Sequence, residues 1–135
     1  MNNIIYLTGK NLSIEDVIKI AEHGYKVDFP KELKTKITEF RKGLDKQLNE
    51  HPEIKMYGVN VGCGDLKDKE ISQQAFVDYQ CKYVKAHNCG SGKELPVEVV
   101  RAMMVIRLNS FAKGFSAVRL DTCQLMIDML NKNVT

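Results

Sequence analysis

The sequence predicts a mainly α-helical domain with a small N-terminal pair of strands, and three observations carry that expectation. Apolar residues recur at helical spacing in five segments divided by glycine or proline. Two short β-rich runs, Ile4-Ile5-Tyr6-Leu7 and Val27-Asp28-Phe29, flank the first of those segments. The chain has 135 residues, 44% hydrophobic and 27% charged, which is enough to bury one core and is the usual size of one domain.

The elements follow in order. Residues 3–8 read as a short strand that turns at Gly9. Ser13, with Asp16 three positions on, is a capping box for a helix whose Ile14, Val17, Ile18 and Ala21 share one face until Gly24 ends it. Val27-Asp28-Phe29 is short enough to pair with the first strand. Pro30 opens a long amphipathic helix through Leu33, Ile37, Phe40, Leu44 and Leu48, broken at His51-Pro52. Residues 54–61 are rich in Val, Ile and Tyr and read as extended chain. A third helix is expected from about Asp68 to Ala86, with Ile71, Ala75, Phe76, Tyr79 and Tyr83 inward and His87 at its end. A fourth runs from Pro96 to Lys113, closed by Gly114; it is apolar nearly all round, so it needs neighbours on several sides. The last spans Leu120 to Asn131.

Composition excludes several function classes. The net charge of +3 comes from lysine and arginine interspersed with acids, as in Lys31-Glu32-Leu33-Lys34, and no basic stripe points to nucleic acid. No apolar run is long enough to cross a bilayer, and Met1-Asn2-Asn3 lacks the start of a signal peptide, so a cytoplasmic protein is expected. Four cysteines at positions 63, 81, 89 and 123 form no Cys-x-x-Cys pair, and His87-x-Cys89 alone makes no metal site. Gly90-Ser91-Gly92-Lys93 resembles the end of a phosphate loop, but Glu94 stands where Ser or Thr would hold magnesium.

The stretch with the densest site chemistry is Tyr57-Gly58-Val59-Asn60-Val61-Gly62-Cys63-Gly64-Asp65. Its three glycines allow tight turns and close approach, and a phenol, an amide and a carboxylate lie among them. Tyr57 through Leu66, read as Tyr-Gly-x-Asn-x-Gly-x-Gly-x-Leu, resembles the Tyr-Gly-Val-Asn-Thr-Gly-Phe-Gly segment of the aromatic amino-acid ammonia-lyases, the histidine ammonia-lyases in particular. Gln80, Ala86-His87 with Gly90 and Gly92, Val100-Arg101-Ala102-Met103, Arg107-Leu108-Asn109, Lys113-Gly114-x-Ser116-x-Val118-Arg119 and Met129-Leu130-Asn131 follow in that family's order.

The resemblance implies that residues 1–135 are a single N-terminal helical domain of the fumarase/aspartase-like lyase type. It implies that Tyr57 is the base that removes a β-proton; a free phenol titrates near pH ~10, so the task needs a site that supports its ionisation. It implies that Asn60 and Gly64 shape the substrate pocket and that His87 faces the substrate ring, which points to L-histidine. The family's Thr and Phe are here Val61 and Cys63, which removes a hydroxyl and a ring from the pocket. Arg107, Lys113 and Arg119 receive structural roles. The family's electrophile, a methylidene-imidazolone built from Ala-Ser-Gly, is expected just beyond Met129-Leu130-Asn131, so the chain resembles the N-terminal portion of a lyase. The remaining portion and identical subunits of a tetramer are the implied partners. The alternatives are a lyase for another aromatic or modified amino acid, and a non-catalytic binding or assembly module.

Overall fold

A computed structural model describes residues 3–135, with the side chain of Gln73 left aside. Among the described residues there are five α-helices and a two-stranded sheet, so the chain is mainly helical with a small N-terminal strand pair. The strands β1 (Ile4–Tyr6) and β2 (Lys26–Asp28) run parallel, Ile5 opposite Val27. Parallel strands require a crossover, and α1 (Ile14–Ala21) supplies it. The helices α2 (Lys31–Glu50), α3 (Gln73–His87), α4 (Val97–Phe111) and α5 (Leu120–Asn131) follow. The residues divide into two compact units: the chain up to Lys46 together with Glu94–Thr135, and Gln47–Lys93.

In the first unit α1 packs on α4, α4 on α5, and α5 on β2. Ser13 forms the expected capping box: its hydroxyl accepts from the Asp16 amide while the Asp16 carboxylate accepts from the Ser13 amide. Leu7, Ile20, Phe29, Ile37, Val105 and Leu108 fill the core with Cys123, Ile127 and Leu130 of α5. The Asn131 carboxamide continues the edge of β2, donating to the Val27 carbonyl and accepting from its amide. Asn109 accepts from the Gly9 amide in the same way. On α2, Ile37 alone of the expected apolar stripe is fully buried, and the exposed Phe40 ring takes the space where a Cβ on Gly114 would stand.

Arg101 is the exception to an apolar core. Only 5% exposed, it donates from Nε to the Ala21 carbonyl at 3.1 Å, from Nη1 to Leu130 at 3.0 Å and from Nη2 to Ile20 at 2.8 Å. These carbonyls lie in the last turns of α1 and α5, where helices leave acceptors unpaired and their dipoles favour positive charge. The rest of α4 keeps the character read from its sequence: Val97, Val99, Met103 and Ile106 remain exposed on its outer faces.

Two expectations in the second unit are corrected. Residues 54–61 do not form an extended run. The Val59 and Asn60 amides both donate to the Met56 carbonyl, Gly58 turns at φ +71°, and the Asn60 side chain occupies the Met56 amide and the Ile54 carbonyl that a strand would need. The third helix begins at Gln73, not near Asp68, because residues 69–71 are held by the loop. The Lys69 carbonyl accepts from Gly62, Glu70 bridges Val61, and the Ile71 amide donates to Asn60. Ser72 then caps α3 through the Ala75 amide.

Replacing Arg101 with Met keeps the length of the side chain and strands three carbonyls. Arg101→Met is expected to cost about 3 kcal/mol of unfolding free energy, the sum of charged hydrogen bonds lost and acceptors left unpaired. Denaturant unfolding measures it, and a loss under about 1 kcal/mol would show that water replaces the guanidinium without penalty.

Candidate active site

The second unit holds all four residues singled out above. The loop from Tyr57 to Leu66 is built on close backbone approach at Gly62, where a Cβ would collide with the carbonyl oxygen and Cβ of Leu66. Gly62 and Val61 are buried there, and a short 3₁₀ turn, Gly64–Leu66, closes the loop. Inside it the Asn60 Oδ1 accepts from the Met56 amide at 2.7 Å and Nδ2 donates to the Ile54 carbonyl at 2.8 Å. Asn60 thus shapes the loop from within.

Tyr57 is 66% exposed, and its hydroxyl oxygen accepts from the Gly64 amide at 3.2 Å. Two of the four residues therefore meet directly. This hydrogen bond closes the loop from Gly64 back onto Tyr57.

Along α3 a row of rings stands at helical spacing: Tyr79, Tyr83 and His87 are four residues apart. Tyr79 and Tyr83 stack with centroids 6.0 Å apart, and Tyr83 lies against the His87 imidazole at 4.1 Å. The Tyr79 hydroxyl accepts from the Cys63 amide at 3.1 Å. Partial desolvation first, and then the Cys63 side chain, hold the Tyr79 phenol above its ordinary value. For Tyr83 the hydrogen bond with the Cys63 side chain is the leading cause of a shift in the same direction. Tyr57 adds a smaller upward contribution to both.

Cys63 is accordingly the junction between loop and helix. The inward face of the helix suggested Tyr79 only as packing, whereas its hydroxyl takes up the Cys63 amide. His87 is exposed, with Nδ1 2.8 Å from the Tyr83 carbonyl. No three His, Cys, Asp or Glu side chains among the described residues converge as a metal site would need, and Gly90 to Lys93 hold no helix N-terminus of their own. Among the described residues no helix is long and apolar enough to cross a membrane.

Residues 12–135 match the aromatic amino acid lyase family. Over 130 residues the chain is 39% identical to the histidine ammonia-lyase of Caldanaerobacter subterraneus subsp. tengcongensis, a match that covers 96% of this chain and 25% of that protein. The crystal structure of a tyrosine aminomutase from Streptomyces globisporus superposes with a TM-score of 0.90 at 30% identity, over 97% of this chain and 24% of that one. The ergothionase of Treponema denticola, an ergothioneine-degrading enzyme solved with desmethyl-ergothioneine sulfonic acid, superposes at 0.89 and 30% identity, over 96% of this chain and 26% of that one. The chain thus spans about a quarter of the length of the relatives it matches, their N-terminal part.

The phenols of α3 give a test of the loop-to-helix junction. Of five tyrosines, Tyr79 and Tyr83 are expected to ionise above the ordinary value of 10.0 in a tyrosinate absorbance titration. A phenol raised on folding stabilises the fold below its unfolded value and loses that contribution as pH rises through the folded one, so the second unit should weaken above about pH 10. Cys63→Ala should return Tyr83 toward the ordinary value; an unchanged titration would mean the sulfur does not reach the ring.

Proposed function

The chain belongs to the aromatic amino acid lyase family, and on that premise we propose that it forms the N-terminal part of a histidine ammonia-lyase, which converts L-histidine to urocanate and ammonia. The observation that carries this reading is the junction in the second unit, where the Tyr57 loop and the ring row ending at His87 share Cys63. In it Tyr57 takes the β-proton, with the Gly64 amide supporting charge on its oxygen. Asn60 holds the loop in shape, Gly64 lines the pocket, and His87 meets the substrate's ring.

The family's methylidene-imidazolone, when present, turns the amine into a leaving group. These 135 residues contain no Ala-Ser-Gly from which to build it, so the donor set here fits the base and ring-binding side of the reaction. The remaining portion of the polypeptide and identical subunits are the proposed partners, in the cytoplasm, without nucleic acid or membrane. The exposed apolar residues of α4 support a covering surface from such a subunit or portion. Light scattering of the complete polypeptide checks it, and a monomer at all concentrations would contradict it.

A second reading is favoured by one observation. Cys63 with Tyr79 and Tyr83 puts a thiol and two phenols beside the loop, and the likeness to ergothionase is as strong as that to the aminomutase. A lyase for a modified histidine or another aromatic amino acid would fit this. Steady-state rates on L-histidine, L-tyrosine and ergothioneine separate the two readings.

In the complete polypeptide, Tyr57→Phe is expected to lower kcat by on the order of 10²-fold or more with little change in melting temperature, the usual size of a general-base contribution. The 135-residue chain alone is expected to form no urocanate. Wild-type kcat in the variant would reduce Tyr57 to a structural residue.

A further inference from the structure

Two successive amides of the loop are taken by two phenols from different places in the chain. Cys63 has extended backbone, φ −117° and ψ 156°, and along extended chain successive groups point to opposite sides. Its own amide is turned to α3 and donates to the Tyr79 hydroxyl at 3.1 Å. The next amide, of Gly64, donates to the Tyr57 hydroxyl at 3.2 Å. Gly64 itself is loosely surrounded: its φ is +60°, and a Cβ there would meet nothing within 4 Å. Among the described residues, Cys63 is where the loop from Tyr57 to Leu66 is hydrogen-bonded to α3, by its amide to Tyr79 and by its side chain to Tyr83. Tyr79 is half-buried and its ring stacks on Tyr83 with centroids 6.0 Å apart, so its oxygen is held at a set place on the helix.

We propose that Tyr79 is a positioning residue for Tyr57: by accepting the Cys63 amide it sets the orientation of the Gly64 amide one residue on, and with it the place of the Tyr57 hydroxyl. The hydrogen-bond half stands on this geometry alone; the catalytic half rests on the lyase reading above, in which Tyr57 takes the proton. Packing on the inner face of α3 would be met equally well by a phenylalanine, so the hydroxyl is the part of Tyr79 that the loop uses. Without it the Cys63 amide has no acceptor among the described residues. Tyr79 acts through the loop and meets no reacting atom, so its oxygen matters to kcat and not to KM. A displaced base is slower at the proton while the substrate is held as before.

Tyr79→Phe removes the oxygen and keeps the ring stack. In the complete polypeptide, amide hydrogen exchange resolved to single residues is expected to speed up roughly 3- to 10-fold at Cys63 and also at Gly64, the range that one hydrogen bond accounts for. Faster exchange at Cys63 alone, or at neither, overturns the proposal. For catalysis the substrate is whichever of L-histidine, L-tyrosine and ergothioneine the wild type turns over. Tyr79→Phe is expected to lower kcat roughly 3- to 10-fold with KM within about twofold, and to lower it no further where Tyr57→Phe is already in place. An equal loss in both backgrounds means that Tyr79 supports the fold at large and overturns the positioning role, as does an unchanged kcat or a change confined to KM. A wild type that turns over none of the three overturns the lyase reading instead, and exchange at Cys63 and Gly64 then decides the hydrogen-bond half by itself.

Discussion

Arg101 is the constraint on which the first unit depends. Apolar packing alone would let α1, α4 and α5 slide past one another, since a hydrophobic contact has no direction. A guanidinium does have direction, and here its fork meets carbonyls of Ile20, Ala21 and Leu130 in two different helices. The charge also sits at two helix C-termini, where it is favoured. Beside it, Asn131 at the end of α5 is tied to both sides of Val27, and the Lys26 ammonium reaches the Asn131 carbonyl. The register of the sheet and the ends of two helices are thereby set by hydrogen bonds, and the apolar core fills the space between them.

The second unit is organised by backbone economy. Gly62 lets the loop pass against Leu66, Gly58 turns the chain, and the Asn60 carboxamide takes up the polar groups that the turn leaves over. The loop is thus tied by hydrogen bonds at its base while the Tyr57 phenol stays in the open, with the Gly64 amide directed at its oxygen. From α3 come rings at intervals of one helical turn, so one face of one helix carries packing at Tyr79 and a polar heteroaromatic ring at His87. Sequence spacing, helix geometry and site chemistry are here the same fact at three scales.

Much of this was legible in the sequence where the signal is local. The capping box at Ser13, the proline before α2 and the closing glycine after α4 each act within one turn, and α5 begins and ends where its apolar period does. The errors arose where a distant group overrides a local preference. Val, Ile and Tyr favour extended chain in residues 54–61, yet the Asn60 side chain takes the strand's hydrogen bonds. The helical pattern from Asp68 is real, but pairing of residues 69–71 with the loop delays the helix to Gln73, behind the Ser72 cap. Arg101 read as one motif residue among others, because nothing near it in sequence shows that helix ends 80 and 29 residues away converge on it. The ring row could have been noticed from the spacing of Tyr79, Tyr83 and His87; that Cys63 joins it to the loop could not.

We propose that the Tyr57 loop and His87 serve opposite ends of one bound substrate. A crystal structure of the complete polypeptide with urocanate tests it most directly. The account predicts the imidazole ring of urocanate within about 2.7–3.2 Å of His87 Nε2, with its side chain running toward the Tyr57 hydroxyl. Urocanate bound with its ring away from His87, or at a site that Tyr57 does not border, would contradict it.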